Sequence, residues 1–495
     1  MNKISSLLSI LFIALAPHIQ ARDYNVDDFG AKPDGKTINT RTLQRAIDHV
    51  SENGGGRLVF QVGNYVTGSI YLKSNVTLHL EPGATLLGST NPLDYMIDPK
   101  VKWSAMIFAI NQENIGITGQ GTINGRGFTT ANNLVSLIHR GVFEDELLLD
   151  RPREWRRPEN IYFRECVNVT VTGITLRDPA SWNQTYDQCK NVYVDGIRVD
   201  SKAYWNNDGI DIVDCDGVII KNSYFDAADD VICFKSHDAN SICQNVVVEN
   251  CVGRSSANGI KFGTVSRGGF RNFTIKNVTI FDTFRSAITF AAVDGGLVEN
   301  IVVDSIRSIN TGNVIFLRIG ERWSQGKKPS MKNIRISNVY AEVPPTKPDA
   351  GYNYEGPVED NPRNISPAIL FGLPDYKIEE VVLKNIEIVY PGGGNPLYAY
   401  RGTSQAELDS IPDMRARYPE FSQWKELPAW GFYVRHIDGL VLDNVRLVAE
   451  KKDYRPAIVI DNVDGATFRD VEFIEPDSEK KEQIIQNRSK NVTMQ

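Results

Sequence analysis

Three aspartates in two neighbouring short segments carry the chemistry that this sequence suggests first. Asp208 lies in residues 205–212, and Asp229 and Asp230 follow 21 and 22 residues later in residues 227–235. Two carboxyl groups on one rigid face can hydrolyse a glycosidic bond, because a protonated one donates to the leaving oxygen while an ionised one activates water. Adjacent carboxylates also repel each other, which separates their pKa values. The sequence predicts this acid–base chemistry if the fold brings Asp208 beside the pair.

The same polar-turn and short-strand pattern occurs three times, at residues 205–212, 227–235 and 257–264. In each strand Ile or Phe alternates with a residue that must face the other way. Stacking the three segments would therefore gather their polar residues on one outer surface. The predicted catalytic residues are Asp208, Asp229 and Asp230, and the predicted substrate-binding residues are Asn207, Asp211, Lys235, Asn258 and Lys261. The two lysines could equally be salt-bridge partners of the aspartates, and Asp211 could be a solvated strand residue.

An internal repeat supplies the elements that would stack these segments. Aligning the motif Val/Ile-x-Gly/Asn/Ser-Val/Ile gives one column of residues: Gly173, Gly196, Asn222, Asn250, Asn277, Ser305, Asn338, Asn385, Asn444 and Asn462. Intervals of 23, 26, 28, 27, 28 and 33 residues up to Asn338 match one solenoid coil each. β-branched residues and period-two alternation exclude a helical repeat. We therefore predict an all-β fold, a right-handed single-stranded parallel β-helix.

The two ends of this solenoid are predicted to differ. Residues 22–90 should form an N-terminal cap and the first coils, with a helix from Thr40 to about Val50 covering the open end of the stack. Residues 91–495 should form the catalytic β-helix, interrupted by loops at 343–367 and 391–430, with a short helix near 405–409. Long loops on a rigid scaffold usually carry function. We expect these two to wall one end of the groove and leave room for a chain end only.

Residues 1–21 combine an early lysine, an apolar run and small residues, which is typical of a secretory leader. The mature protein is thus expected to be exported, periplasmic or secreted, without membrane association once the leader is removed, and monomeric. A net charge of −7 without a large basic cluster argues against nucleic acid as a partner. Four of the six cysteines, Cys166, Cys189, Cys215 and Cys243, recur once per coil, which favours interior packing over disulfides for most of them. The six histidines show no metal-ligand spacing.

With these motifs in place, the chain resembles the polygalacturonase-like glycoside hydrolases of family 28. The resemblance extends over nearly the whole mature chain and is carried by five stretches: 29–35, 68–74, 207–209, Asp229-Asp230 and 427–436, the last typical of a bacterial branch. It implies inverting hydrolysis of pectic polysaccharide without a metal or other cofactor. It also implies that Asp229 is the general acid, while Asp208 and Asp230 hold and deprotonate water.

Two motifs of the family are absent. Its Gly-His-Gly is Ala257-Asn258-Gly259 here, and its Arg-Ile-Lys, whose cations bind a uronate carboxylate, is Ala287-Ile288-Thr289. Lys235, Lys261, Arg285 or Arg318 could take over this contact; otherwise the sugar at the cleavage point carries no carboxylate. The expected substrate is therefore a pectic polysaccharide or oligosaccharide of galacturonan or rhamnogalacturonan type, attacked from its end.

Two other classes of function fit the same residues. Oxygen ligands at this density would suit Ca²⁺, as in a β-helix polysaccharide lyase in which a Lys or Arg removes a proton. The missing motifs would also fit a carbohydrate-binding β-helix without activity. Nothing structural requires three clustered aspartates, which favours the hydrolase.

Overall fold

The computed structural model describes residues 22–145, 150–348, 366–395, 397, 401–476 and 482–495. Within these ranges, 31 strands pair side by side in parallel along a solenoid, each with a strand one coil away. The predicted parallel β-helix is confirmed. The expected leader, residues 1–21, lies outside the described residues, as do most of the loop at 343–367 and residues 396 and 398–400 of the second loop.

The pairing sorts the strands onto three faces of the solenoid. Face A is built by β5 (Ile70–Tyr71), β8 (Ala105–Ile110), β11 (Glu159–Arg164), β14 (Gln184–Asp187), β17 (Ile210–Val213), β20 (Ile232–Ser236), β22 (Ile260–Ser266), β26 (Ala368–Phe371) and β30 (Ile484–Asn487). Face B is built by β1 (Asp23–Asn25), β3 (Gly56–Phe60), β6 (Val76–Leu80), β9 (Glu113–Gly119), β12 (Val167–Thr172), β15 (Lys190–Asp195), β18 (Asp216–Lys221), β25 (Ser330–Glu342), β27 (Ile378–Tyr390) and β31 (Lys490–Met494).

The third face, face C, is built by β2 (Asp34–Ile38), β4 (Gly63–Thr67), β7 (Ala84–Gly88), β10 (Thr122–Asn124), β13 (Thr175–Arg177), β16 (Arg198–Ser201) and β19 (Tyr224–Ala227). Seven longer strands continue around the corners between faces: β25 and β27, which extend from face B onto face C, and β21 (Cys243–Ser255), β23 (Gly269–Ala292), β24 (Leu297–Ile319), β28 (Phe432–Ala449) and β29 (Ile458–Ile474).

Asparagine ladders hold successive coils in register at the corners. Asn272, for example, donates to Asn245 and accepts from Asn300, over 3.1 and 3.2 Å, with positive φ at each. Asn tolerates this left-handed conformation better than most residues, so a repeated Asn marks a repeated corner. The predicted column from Gly173 to Asn462 is correct through Asn444 but wrong at Asn462. Asp470 takes that place, whereas Asn462 belongs to a different corner, where its amide contacts the His436 ring at 2.7 Å.

A helix covers the first coils as predicted. Helix α1 (Thr40–Glu52) buries Leu43, Ala46, Ile47 and Val50, the four residues expected to face the stack. The helix begins at Thr40 with Asn39 as its N-cap, and the Thr40 hydroxyl accepts the Gly68 amide N–H at 2.8 Å. Helix α2 (Gly127–His139) was not predicted, whereas the short helix α3 (Gln405–Asp409) was, and Ser404 and Glu407 form its capping box.

The interior of the solenoid is a continuous apolar stack. All six cysteines are buried free thiols within it or beside it, so the prediction of interior packing is confirmed. In the part of the chain that the structure describes, no helix is long and apolar enough to cross a membrane.

Candidate active site

Face A brings the three predicted segments into consecutive coils. Asp211, Cys233 and Lys261 are direct partners across β17, β20 and β22, and the isoleucines that precede them are fully buried inward. The aspartates occupy the turns that lead into these strands, and backbone hydrogen bonds link the turns, such as Gly209 N–H to the Asp230 carbonyl at 2.9 Å. The fold therefore places Asp208 one coil from Asp229 and Asp230.

Asp230 is held as an ionised carboxylate. Its Oδ1 accepts the Asn258 backbone and side-chain N–H groups at 3.1 and 2.8 Å, and its Oδ2 accepts Lys261 Nζ at 2.6 Å. Although burial opposes ionisation, Lys261 and Asn258 together lower the pKa of Asp230 below its ordinary value. A buried carboxylate with such partners remains charged and can act as a base.

Asp229, in contrast to Asp230, tends to keep its proton. Desolvation, and then the negative charge of Asp230, raise the pKa of Asp229. Its Oδ1 accepts the Asp230 amide N–H at 3.0 Å, and the Asn206 amide approaches its Oδ2 at 3.5 Å. The side chain is only partly buried, unlike that of Asp230. Asp229 thus tends to keep its proton, while the neighbouring Asp230 tends to release it. Acid–base hydrolysis requires one carboxyl of each kind.

Asp208 shares a buried lysine with Asp211. Lys235 Nζ contacts Asp208 Oδ2 at 3.1 Å and is also hydrogen bonded to Asp211 Oδ1, and all three side chains are nearly inaccessible to solvent. Desolvation, and then Asp211, raise the pKa of Asp208 well above its ordinary value. Asp211 is therefore not a solvated strand residue. It is the ionic partner that holds Lys235 beside Asp208.

The remaining predicted residues have distinct environments. Asn207 is fully buried, and its amide donates to the Ser181 carbonyl at 2.6 Å while its oxygen accepts the Tyr204 N–H at 2.7 Å, so it fixes the turn. Asn258 lies directly on Asp230, and its Oδ1 accepts the Thr289 hydroxyl at 3.0 Å. The two departures from the family motifs, Asn258 and Thr289, are therefore in contact with each other.

The cations considered for a carboxylate contact have partners of their own. Lys235 and Lys261 contact the aspartates, and Arg285 Nε lies 2.6 Å from Glu420 Oε2. Arg318 is 1% exposed, donates to the Asp413 carbonyl and lies over the Trp424 ring at 5.0 Å. Arg318 thus anchors a loop and does not face the cluster.

Sequence reasoning missed two residues that the second loop delivers to the site. The Tyr418 hydroxyl accepts Lys261 Nζ at 2.9 Å, although the two residues are 157 positions apart, and Glu420 pairs with Arg285. Neither belongs to the coil repeat, so no periodicity could indicate them. A third, Glu159, is a fully buried carboxyl whose pKa desolvation raises well above its ordinary value, and its Oε2 accepts the Thr185 hydroxyl at 2.7 Å.

The second loop is packed onto face A through an apolar cluster of its own. Trp424 stacks on Phe371 with ring centroids 4.9 Å apart, and its Nε1 donates to the Pro412 carbonyl at 2.8 Å. The cluster comprises Phe316, Ile369, Phe371, Leu408, Ile411, Phe421, Trp424, Leu427, Ala429, Tyr433 and Val459. Arg435 donates to the Ile411 carbonyl at 2.8 Å and its Nε lies 3.3 Å from Asp461 Oδ2, so it joins the loop to the later coils.

One group of side chains in the described residues has the proximity of metal ligands: Asp208, Asp230 and Cys233 offer donor atoms within 4.8 Å of one another. Lys235 and Lys261 already supply positive charge to the two carboxylates, at 3.1 and 2.6 Å. A thiol is also a soft ligand, whereas Ca²⁺ takes oxygen ligands. The donor set therefore fits two ammonium groups better than Ca²⁺.

Comparison with known proteins links this geometry to carbohydrate-active enzymes. The sequence model of glycosyl hydrolases family 28 matches residues 60–342. A Dickeya chrysanthemi protein named exo-poly-alpha-D-galacturonosidase is 28% identical over 319 residues, which cover 55% of this chain and 53% of the relative. The chain thus spans about half of the length of that relative.

Two solved structures share the fold. A hyperthermoactive exopolygalacturonase from Thermotoga maritima has 24% identity and a TM-score of 0.58, covering 74% of this chain and 87% of the other. A family 28 exopolygalacturonase from Yersinia enterocolitica has 19% identity and a TM-score of 0.57, covering 96% and 78%.

Proposed function

The chain belongs to glycosyl hydrolases family 28, and from that premise we propose that it is an inverting hydrolase that releases sugars from the ends of pectic chains. The observation that carries the proposal is the adjacent pair Asp229 and Asp230, whose pKa values are displaced in opposite directions. A proton donor and a proton acceptor on one rigid turn are the two groups that glycosidic hydrolysis needs.

Each carboxyl has a separate task in this proposal. Asp229 keeps its proton and gives it to the glycosidic oxygen as the bond to the sugar carbon breaks. Asp230, ionised beside Lys261, takes a proton from the attacking water, and Asp208 holds that water by accepting a hydrogen bond. Lys235 limits the repulsion that Asp208 and Asp211 would otherwise exert on this arrangement.

Attack from the chain end is supported by the second loop. Its apolar cluster fixes residues 405–424 on the coils that follow the aspartates, and Tyr418 and Glu420 reach back to Lys261 and Arg285. A β-helix face without such a loop is an open groove along the coils, which can accept a polymer mid-chain. A groove closed on one side admits a chain end. The exo-acting relatives agree with this action pattern.

The charges beside the aspartates bear on which sugar occupies the cleavage point. Lys235, Lys261 and Arg285 each face a carboxylate of the protein. This pairing favours a linkage in which the sugar nearest the cluster is neutral, as in rhamnogalacturonan-type chains. The names of the relatives favour galacturonan, so both belong in the test. The leader-like residues 1–21 support export, to the periplasm or the medium, where such polymers are met.

The deciding experiment incubates the purified chain with a panel of galacturonan and rhamnogalacturonan oligosaccharides and polymers. We expect mono- or short saccharides from the first minutes, slow loss of polymer viscosity and full activity in EDTA. Unsaturated products absorbing in the ultraviolet, with activity lost on chelation and restored by Ca²⁺, would instead identify a lyase. Binding without any product would identify a non-catalytic carbohydrate-binding protein.

A further inference from the structure

A cavity of about 400 Å³ opens on face A next to the aspartates, on the side of the first coils. Its lining includes aromatic, cationic and acidic side chains, among them Trp103, Tyr162, Arg164, Trp182, Thr185 and Asp187. None of the predicted or proposed site residues lines it. We refer to this cavity as the Trp103 pocket.

Strand register ties the Trp103 pocket to the catalytic coils. Tyr162, Thr185 and Asp211 are direct partners across β11, β14 and β17. Since successive strands lie roughly 4.8 Å apart, the pocket begins one coil before Asp211. Trp182 also forms part of its wall, and Lys235 Nζ lies 3.8 Å from the centre of that ring. A ligand in the pocket would therefore lie next to the carboxylates.

The lining has the two kinds of group that hold a pyranose. Trp103 and Trp182 pack on each other with ring centroids 5.0 Å apart and planes at 31°, and the parts of both rings that line the pocket give an aromatic surface for the apolar side of a sugar. Polar groups surround it: Arg164 is partly exposed, with Nη1 3.6 Å from Asp187 Oδ2, and the Tyr162 hydroxyl donates to Asp187 at 3.1 Å. Burial raises the pKa of Asp187 to about 6, so in mild acid this carboxyl can both donate to and accept from sugar hydroxyls.

The opposite side of the cluster is covered by the second loop. There the strand positions equivalent to Asp211 are Phe316, Ile369 and Tyr433, all buried beneath that loop. Sugar units next to the cleaved bond therefore have room on the side of the first coils.

We propose that the Trp103 pocket binds a pyranose unit of the saccharide substrate, on the side of the aspartates that faces the first coils. This inference rests on the proposed function for the identity of the saccharide. Trp103 and Trp182 contact the ring, and Arg164 contacts a hydroxyl of a neutral sugar or the carboxylate of a uronic acid.

Binding is measured by calorimetry in an Asp229→Asn parent, so that the ligand survives the titration. The ligands are galacturonate oligomers and oligomers that contain neutral rhamnose. In that parent, Trp103→Ala should raise Kd about 10-fold, corresponding to roughly 1.4 kcal/mol for a lost stacking contact. Arg164→Gln is the second variant, chosen because the Arg164 side chain is partly exposed and lies outside the buried apolar stack. It should raise Kd several-fold, and more for uronate ligands if the bound unit is a uronate.

Trp323→Ala is the matched control, because Trp323 is 49% exposed and is not part of the pocket lining. It should bind as the parent does. The inference is overturned if Trp103→Ala and Arg164→Gln both keep the parental Kd, or if the parent binds none of the saccharides. Hydrolysis by the wild type with unchanged binding in both variants would reject the pocket and leave the proposed function intact. Trp103-dependent binding without hydrolysis would reject the function and keep the pocket.

Discussion

Two parts of face A are built from the same strand positions and differ in what faces outward. In the middle coils the outward positions hold Asp211, Cys233, Lys261 and Thr289, and their surroundings are charged. In the later coils the equivalent positions hold Phe316, Ile369, Tyr433 and Val459, which a loop covers. The comparison shows that the same column of strand positions forms a charged surface in the middle coils and a surface for loop docking in the later coils, according to the side chains it carries.

The energetic basis of the two parts differs accordingly. The later coils gain stability from apolar burial, which needs no precise geometry beyond close packing. The middle coils bury Asp208, Asp211 and Asp230 and partly bury Asp229, and each of these carboxyls must be compensated by a lysine, an amide or a retained proton. Such a costly arrangement persists where chemistry requires it.

The largest effect should come from removing the acid or the base. Asp229→Asn and Asp230→Asn should each lower kcat by roughly 10²–10⁴-fold, the scale of a lost proton donor or acceptor, while the fold is retained. Circular dichroism and initial rates measure the two properties. Asp216→Asn is a control in the same coil, because its carboxylate binds Asn245 at 2.7 Å on face B. Near-normal turnover in either catalytic variant would contradict the assignment.

Lys261 should determine the acidic side of the pH–rate profile. Lys261 lowers the pKa of Asp230, so kcat/KM should fall in acid only below the ordinary Asp range. In Lys261→Met the pKa of Asp230 should rise, and the acidic limb should move to higher pH. The alkaline limb reports the raised pKa of Asp229, because activity is lost as pH rises and this acid releases its proton.

Tyr418→Phe is the matched control for this profile. It removes the hydroxyl that accepts Lys261 Nζ at 2.9 Å but leaves the ammonium in place. Its acidic limb should therefore stay where the wild-type limb lies. An unmoved acidic limb in Lys261→Met would show that Asp230 is not the group that titrates there.

Weakening the packing of the second loop on the later coils should change the action pattern more than the rate of hydrolysis. Trp424→Ala removes the ring stacked on Phe371 and should cost about 3–5 kcal/mol of packing in the loop cluster. Polymer viscosity should then fall faster for each bond cleaved, because the groove opens beyond the aspartates. Trp323 lies outside the cluster, so Trp323→Ala should show the same viscosity loss per bond cleaved as the wild type. If the loop is mobile in Trp424→Ala but the viscosity loss per bond cleaved is unchanged, the loop does not close one end of the groove.

The smallest effect should come from the pair that replaces the two family motifs. Thr289→Val removes the hydroxyl that orients the Asn258 amide and should lower kcat/KM about 5- to 10-fold, equivalent to roughly 1 kcal/mol. Asn258→Ala should cost more, because Asp230 loses a donor at 2.8 Å. If the two residues act together, the double variant should be no worse than Asn258→Ala. Additive losses would show independent roles.

The repeat made much of this architecture predictable. The alternation of apolar residues and the interval between the repeated motifs identified the coils. They placed Asp208 in the coil next to Asp229 and Asp230, because the strand register follows from the corner asparagines. The contacts of Tyr418 and Glu420 could not be inferred, since loop docking depends on apolar packing between residues far apart in sequence. The orientation of Asn207 was equally hidden, since an amide in a turn can face the cleft or the backbone.

The stereochemistry of the first product tests the central proposal most directly. Proton NMR can follow the anomeric signals of the sugar released from a pectic oligosaccharide during the first minutes, before mutarotation. If Asp230 activates a water molecule while Asp229 protonates the leaving oxygen, the new anomeric centre should be inverted relative to the cleaved bond. Retained configuration would require a covalent intermediate on one of the aspartates and would contradict the proposed roles.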